Sequence, residues 1–235
     1  MTQDNTINIL AKLFQKKQYM EDFLDGNLHI NHLGYYFNLE SGNLKDTQAD
    51  RLEGVTRQSQ PKDVKISFNI PGTEEWHTIP AEDHAGPIYL QDEYLFNLKC
   101  LCFYSPTIYL DNSDSVKNQL LISKKMQDDF GDFIVFFHNP SEFLNRVQKA
   151  VKKNGYGYKS NRVNYFSSVD NFQACDSSKG FDKRDIFSFQ KEYRILIETL
   201  EHEPTPLKLQ IGNIRDICAF MTVDQFNNDL KIDLS

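Results

Sequence analysis

The chain contains no apolar run near the roughly 18 residues that cross a bilayer. Its first residues, Met1-Thr-Gln-Asp-Asn5, lack the basic and apolar regions of a secretion signal. A cytoplasmic protein without membrane association is the expectation. Cysteine is scarce, with only Cys100, Cys102, Cys175 and Cys218, and their spacing matches neither a zinc pattern nor a small disulfide framework. Reduced, mostly buried thiols follow, and Cys100 and Cys102 are read as facing opposite sides of an apolar strand. No glycine-rich phosphate loop of the Walker or Rossmann kind is present. The histidines at 29, 32, 77, 84, 138 and 202 are dispersed, and no metal is assigned. Positive charge is in deficit, 26 Lys and Arg against 33 Asp and Glu, a net −7. Nucleic acid is therefore not supported by charge. The basic stretch Lys149-Ala-Val-Lys-Lys153 reads as a solvated helix face.

What the chain does have is apolar and aromatic material. At 40% hydrophobic and 13% aromatic it can build a sizeable core, which excludes disorder. No linker composition or repeat divides it, so residues 1–235 are read as a single α+β domain. A mostly antiparallel or mixed β-sheet core with flanking helices is expected.

The apolar stripe over 6–25 predicts a helix, with Gly26 as its stop. Strands are predicted at Leu28–Asn31, Val64–Ile70, Glu75–Ile79, Ile88–Leu90, Tyr94–Leu98 and Cys100–Tyr104. A helix is predicted over 115–129 and a buried strand over Asp132–His138. Asn139-Pro-Ser-Glu142 supplies an N-cap, a proline at N1 and an acid at N3, so a helix runs from there to Gly155. Strands at Arg162–Ser168, Leu207–Ile211 and Ile214–Phe220 follow, and Thr222 caps a last helix. Residues 132–168 read as the one β–helix–β crossover. Residues 38–62, with Ser41-Gly42, form a long polar loop of the functional or mobile kind. Residues 170–185 read as a second such segment, disordered or a lid.

Three places carry candidate chemistry. Asp50-Arg-Leu-Glu53-Gly54 puts two carboxylates and an arginine on a tight turn, suited to a base, a cation site or ribose recognition, or to a local ion pair. Tyr165-Phe-Ser167-Ser168 offers a ring and hydroxyls at a strand end, as any strand terminus can. The third is Gln190-Lys-Glu192-Tyr-Arg194, which leads into a strand. Tyr193, Ile195 and Ile197 fall on one face, and Glu192, Arg194 and Glu198 on the other, as a polar ledge. A fixed carboxylate such as Glu192 stabilises an oxocarbenium-like transition state at a ribose, and an amide two residues earlier can orient the acceptor. The plain alternative is an ion pair between Glu192 and Arg194 or with a neighbouring strand.

Gln190-x-Glu192 with Tyr-Arg-Ile-Leu-Ile resembles the Gln/Glu-x-Glu turn of ADP-ribosyltransferases. The resemblance implies NAD as cofactor, with Glu192 and Gln190 as catalytic pair. Tyr165, Ser167, Arg194 and His29 would contact the cofactor, with Asp50 and Glu53 as a second acidic pair on a loop. Phe166-Ser167-Ser168 matches that family's Ser-Thr-Ser element in part, and His29 is the nearest residue to its early Arg or His.

The wider layout is similar to a bacterial and phage group related to abortive-infection proteins of the AbiGi type. The resembling parts are Phe23-Leu-Asp-Gly-Asn-Leu28, Asp50-x-x-Glu53-Gly54, Cys100-Leu-Cys-Phe-Tyr-Ser105, Phe130-Gly-Asp-Phe-Ile-Val135, Val163-Asn-Tyr165 and Lys191-Glu-Tyr-Arg194. That likeness implies a phage–host conflict protein, a toxin-like effector with an unknown macromolecular acceptor or host or phage partner. Two other readings stand beside it. One is a non-catalytic inhibitor binding through an acidic, aromatic-rich surface. The other is a nuclease holding Mg²⁺ with Asp50, Glu53 and Glu192.

Overall fold

The strand Glu192–Glu198 lies one place in from the edge of the main sheet, and its alternation sorts its side chains onto two covered faces. The computed structural model describes residues 6–37, 50–110, 113–199 and 205–231. The main sheet runs in the order Gly157–Arg162, Glu192–Glu198, Lys99–Tyr104, Ala11–Phe14, Phe133–Phe137 and Cys218–Thr222, every neighbour antiparallel. The protein is thus an α+β fold on a mostly antiparallel sheet. Phe133–Phe137 and Gly157–Arg162 lie four places apart and so run the same way. The helix Pro140–Lys153 crosses between them. Asn139 caps it by accepting from the Glu142 amide at 3.1 Å.

One feature of this sheet shapes the site. Lys99–Tyr104 meets two strands along a single edge. Ala11 pairs with Tyr104 at one end, while Asn31 and His32 of the strand Asn27–His32 pair with Cys100 and Lys99 at the other. Asn27–His32 then pairs outward with Leu207–Gln210. The sheet therefore forks beside Leu101–Phe103.

One face of the sheet presents Leu101, Phe103, Val135, Phe137, Ile195 and Ile197 to the helices Lys17–Leu24 and Pro140–Lys153, through Phe23, Leu24, Phe143, Val147 and Val151. Burying such side chains contributes about 1.5–3 kcal/mol each. The other face carries Ala11 and Ile134 beneath Met126, Val223 and Phe226. It also carries Cys100 and Leu196 beneath Leu33, Leu95, Leu98 and Phe181.

Several sequence expectations are corrected. Residues 6–25 are not one helix: Thr6–Asn8 and Ala11–Phe14 are strands, and only Lys17–Leu24 is helical. Leu10 and Phe14 enter one core and Ala11 the other, and a short strand buried on both faces mimics a helical stripe. Glu93–Asn97 is helical because Asp92 caps it, accepting from the Tyr94 amide at 3.0 Å. The helix expected over 115–129 is two, Ser113–Leu120 and Lys124–Phe130, the second capped by Ser123. The strand expected from Ile214 begins at Cys218. Arg162–Ser168 divides into the end of Gly157–Arg162 and a short strand Asn164–Phe166, which pairs in parallel with Asp182–Arg184.

Of the loop expected over 38–62, residues 38–49, with Ser41-Gly42, lie outside the described residues. Val55–Ser59 within it is a strand paired with Ile88–Gln91. Residues 170–185 are built into the domain, with Phe181, Asp182 and Lys183 buried. Among the described residues, no helix is long and apolar enough to cross a membrane.

Candidate functional site

Glu192 and Arg194 do not form a solvent ledge. Both are buried, because the segments around Glu53 and Gly180–Lys183 roof their face of the sheet. Arg194 is 1% exposed. Its Nη1 and Nη2 donate to the two carboxylate oxygens of Glu53 at 2.6 and 3.1 Å, and its Nε donates to Glu192 Oε1 at 2.7 Å. Nη1 also reaches the Gly180 carbonyl at 2.9 Å. Lys183 completes the cluster, donating to Gln190 Oε1 at 2.8 Å and lying 3.3 Å from Glu192 Oε2. Two carboxylates and two cations thus neutralise each other away from water, the condition under which buried charge is tolerated.

The turn that places these groups is local. The 3-10 segment Asp185–Gln190 ends at Lys191, whose φ of 42° is the one positive value among the described non-glycine residues. That left-handed residue reverses the chain between Gln190 and Glu192, so both side chains reach Lys183. The Tyr165 hydroxyl accepts from the Glu192 amide at 2.9 Å and fixes the start of the strand.

Electrostatics follow from this packing. Burial opposes ionisation of Glu192, but Arg194 and Lys183 outweigh it and hold the carboxyl far below its usual range. Burial acts against the Lys183 ammonium, and Glu192 and Glu53 reverse that and raise it. The Cys102 thiol is pushed well up, first by its contact with Cys100 and then by burial. Burial first, and then the neighbouring Cys102, Cys100 and Glu192, push the Tyr36 hydroxyl well up.

The cluster opens on a cavity of about 710 Å³ at the fork in the sheet. Its wall includes Lys12, Tyr36, Cys102, Glu53, Lys183, Gln190, Glu192 and Arg194, and side chains from both faces of the sheet contribute. Tyr19, Tyr35 and His29 stand exposed on the same wall. A neighbouring cleft of about 630 Å³, lined by Tyr109, Arg162, Tyr165 and Lys191, meets Glu192 from another side.

Comparison with family models, with curated proteins and with solved structures gave no match. The site therefore speaks through its geometry. Glu192, Gln190, Arg194, Glu53 and His29 line one cavity. Tyr165 lies behind Glu192 and faces the smaller cleft. Ser167 lines neither cavity; its hydroxyl accepts from the Val169 amide at 3.3 Å. Asp50 also lines neither, and is 1% exposed, with Oδ1 accepting from Arg184 at 2.9 Å and from the Leu52 amide at 3.0 Å. The two acids of that turn thus part company, Glu53 into the cluster and Asp50 behind it.

Arg194 spans Glu53 and Glu192, so the space a Mg²⁺ would need between these carboxylates holds a guanidinium. The sulfurs of Cys100 and Cys102 lie 3.4 Å apart, and they gather with a Glu192 oxygen within 4.8 Å. This overturns the expectation that the two cysteines face opposite sides, since a strand's period of two puts i and i+2 on one face. The three groups form a donor set for a soft metal, but Arg194 and Lys183 already neutralise the negative charge that Glu192 would offer it. Sequence reasoning missed Lys183, Lys12 and Cys102. For Cys102 the period of two was the available signal, whereas Lys12 showed only as a charge between Ala11 and Leu13, and Lys183, between Asp182 and Arg184, carried none.

Proposed function

We propose that this is an ADP-ribosyltransferase-like enzyme that takes NAD into the cavity at the fork and acts in the cytoplasm as a toxin-like effector in phage–host conflict. One observation carries the reading: Glu192 is held ionised on the wall of a cavity large enough for a nucleotide, with Gln190 beside it. A carboxylate has about four acceptor positions, and the two cations do not use them all. A free position can take the ribose 2′-hydroxyl, and the fixed negative charge stabilises the oxocarbenium-like centre as nicotinamide leaves. Gln190 orients the acceptor. Arg194 and Lys183 act through Glu192, keeping it charged and in place. His29 and the exposed tyrosines on the same wall offer contacts to the rest of the dinucleotide.

The test is nicotinamide release from NAD by the full chain, with and without a host or phage lysate as source of acceptor. Glu192→Gln should abolish release, and Gln190→Ala should spare hydrolysis while lowering transfer to protein. Each variant is first checked by circular dichroism, since Glu192 also binds two buried cations. A wild-type chain that releases no nicotinamide with either lysate, or a folded Glu192→Gln that still does, overturns the reading.

A further inference from the structure

We infer that the fork in the sheet is a seat for a phosphate-bearing anion, held by Lys12 and Asn31 from the two strands that flank it. Lys183 and Arg194 on the cavity wall are each bound to carboxylates. Lys12 is not. Its ammonium donates to the Cys102 carbonyl at 2.9 Å and faces the rings of Phe14 and Phe103, 5.8 and 5.4 Å from their centres. No carboxylate among the described residues pairs with it. Glu192 is within electrostatic reach but already carries two cations, and Asp22, exposed on the same wall, accepts from Gln18 at 2.9 Å.

A carbonyl and two ring faces replace only part of the water an ammonium loses on burial. Burial accordingly pushes Lys12 below its ordinary value. An anion would supply the missing partner. Across the fork, the half-buried side-chain amide of Asn31 lines the same cavity and makes no hydrogen bond among the described residues. A charged donor with no carboxylate partner and a neutral donor with no acceptor among the described residues suit the oxygens of a phosphate. Tyr19 and Tyr35 on the wall offer ring faces to a base attached to it. The inference does not rest on NAD as donor, because a nucleotide, a sugar phosphate and pyrophosphate all present the same group.

Calorimetric titration of the full chain tests it with three probes: ADP, pyrophosphate and adenosine. ADP or pyrophosphate should bind, and adenosine at least about tenfold more weakly than ADP, as loss of a charge-assisted contact predicts. Binding of pyrophosphate alone would identify an inorganic anion, and of ADP alone a nucleotide; either supports the seat. Lys12→Met keeps the apolar stem on the rings and should weaken the binding anion about tenfold or more, leaving adenosine unchanged. If that variant does not fold, Asn31→Ala carries the same comparison. No binding of either anion at millimolar concentration, or unchanged anion affinity in the folded variant, overturns the inference. Anion binding without nicotinamide release would remove the NAD reading and leave the seat standing.

Discussion

Replacing Glu53 by Ala should be among the most damaging single changes in this protein. The side chain is 2% exposed and holds both terminal nitrogens of an equally buried arginine, at 2.6 and 3.1 Å. Its loss leaves Arg194 and Lys183 facing Glu192 alone, so a buried neutral cluster gains an uncompensated positive charge. Removing one partner of a buried ion pair costs about 3–5 kcal/mol. For a chain of this size each kcal/mol lowers the melting temperature by about 2–4 °C, so the fall should be roughly 6–20 °C. Urea denaturation provides the assay, with a lower midpoint at an unchanged slope. A companion variant sharpens it. Glu53→Leu combined with Arg194→Met removes both charges and leaves Glu192 with Lys183, so it should be less destabilised than Glu53→Leu alone. A loss below about 1 kcal/mol for Glu53→Ala, or a double variant worse than the single one, refutes the argument that the cluster is held by charge neutrality away from water.

Two further outcomes follow. Because the folded Glu192 carboxyl is held below its unfolded value of about 4.3, its contribution is complete above that pH and is lost as pH falls toward the folded value. The wild type should thus lose stability below about pH 4.3 more steeply than Glu192→Gln, as followed by thermal melts from about pH 7, where ordinary carboxylates are ionised, down to about pH 3, where they are mostly protonated; parallel curves would contradict this. Thiol alkylation near neutral pH should mark Cys175 first. It is exposed, and hydrogen bonds with Ser177 and Ser178 lower its thiol to about 7, whereas Cys102 is pushed up and Cys100 is buried. Peptide mass spectrometry of native protein treated with iodoacetamide would show the order, and early labelling of Cys102 would overturn it.

The local grammar of the chain was legible. Asn139-Pro-Ser-Glu142 announced its helix, and Thr222 its own, because capping depends on a few adjacent residues. Val64–Ile70 and Glu75–Ile79 were readable as a hairpin for the same reason, and Ile66–Asn69 does pair with Trp76–Ile79. Where apolar residues were buried on two sides, as at Leu10–Phe14, strand and helix could not be told apart without knowing what lay on each side.

The alternation of Tyr193, Ile195 and Ile197 against Glu192 and Arg194 was determined by the sequence alone, since a strand's period of two needs no partner. Its meaning was decided only by tertiary structure. Period tells which residues share a face, not what covers that face. Here the cover is a carboxylate 141 residues away from Arg194, together with Lys183, which converts an expected solvent ledge into a buried, charge-balanced cluster. The fork that gives this cluster a cavity likewise depends on two strands sharing one edge of Lys99–Tyr104, a matter of long-range pairing on which no single stretch of the chain bears.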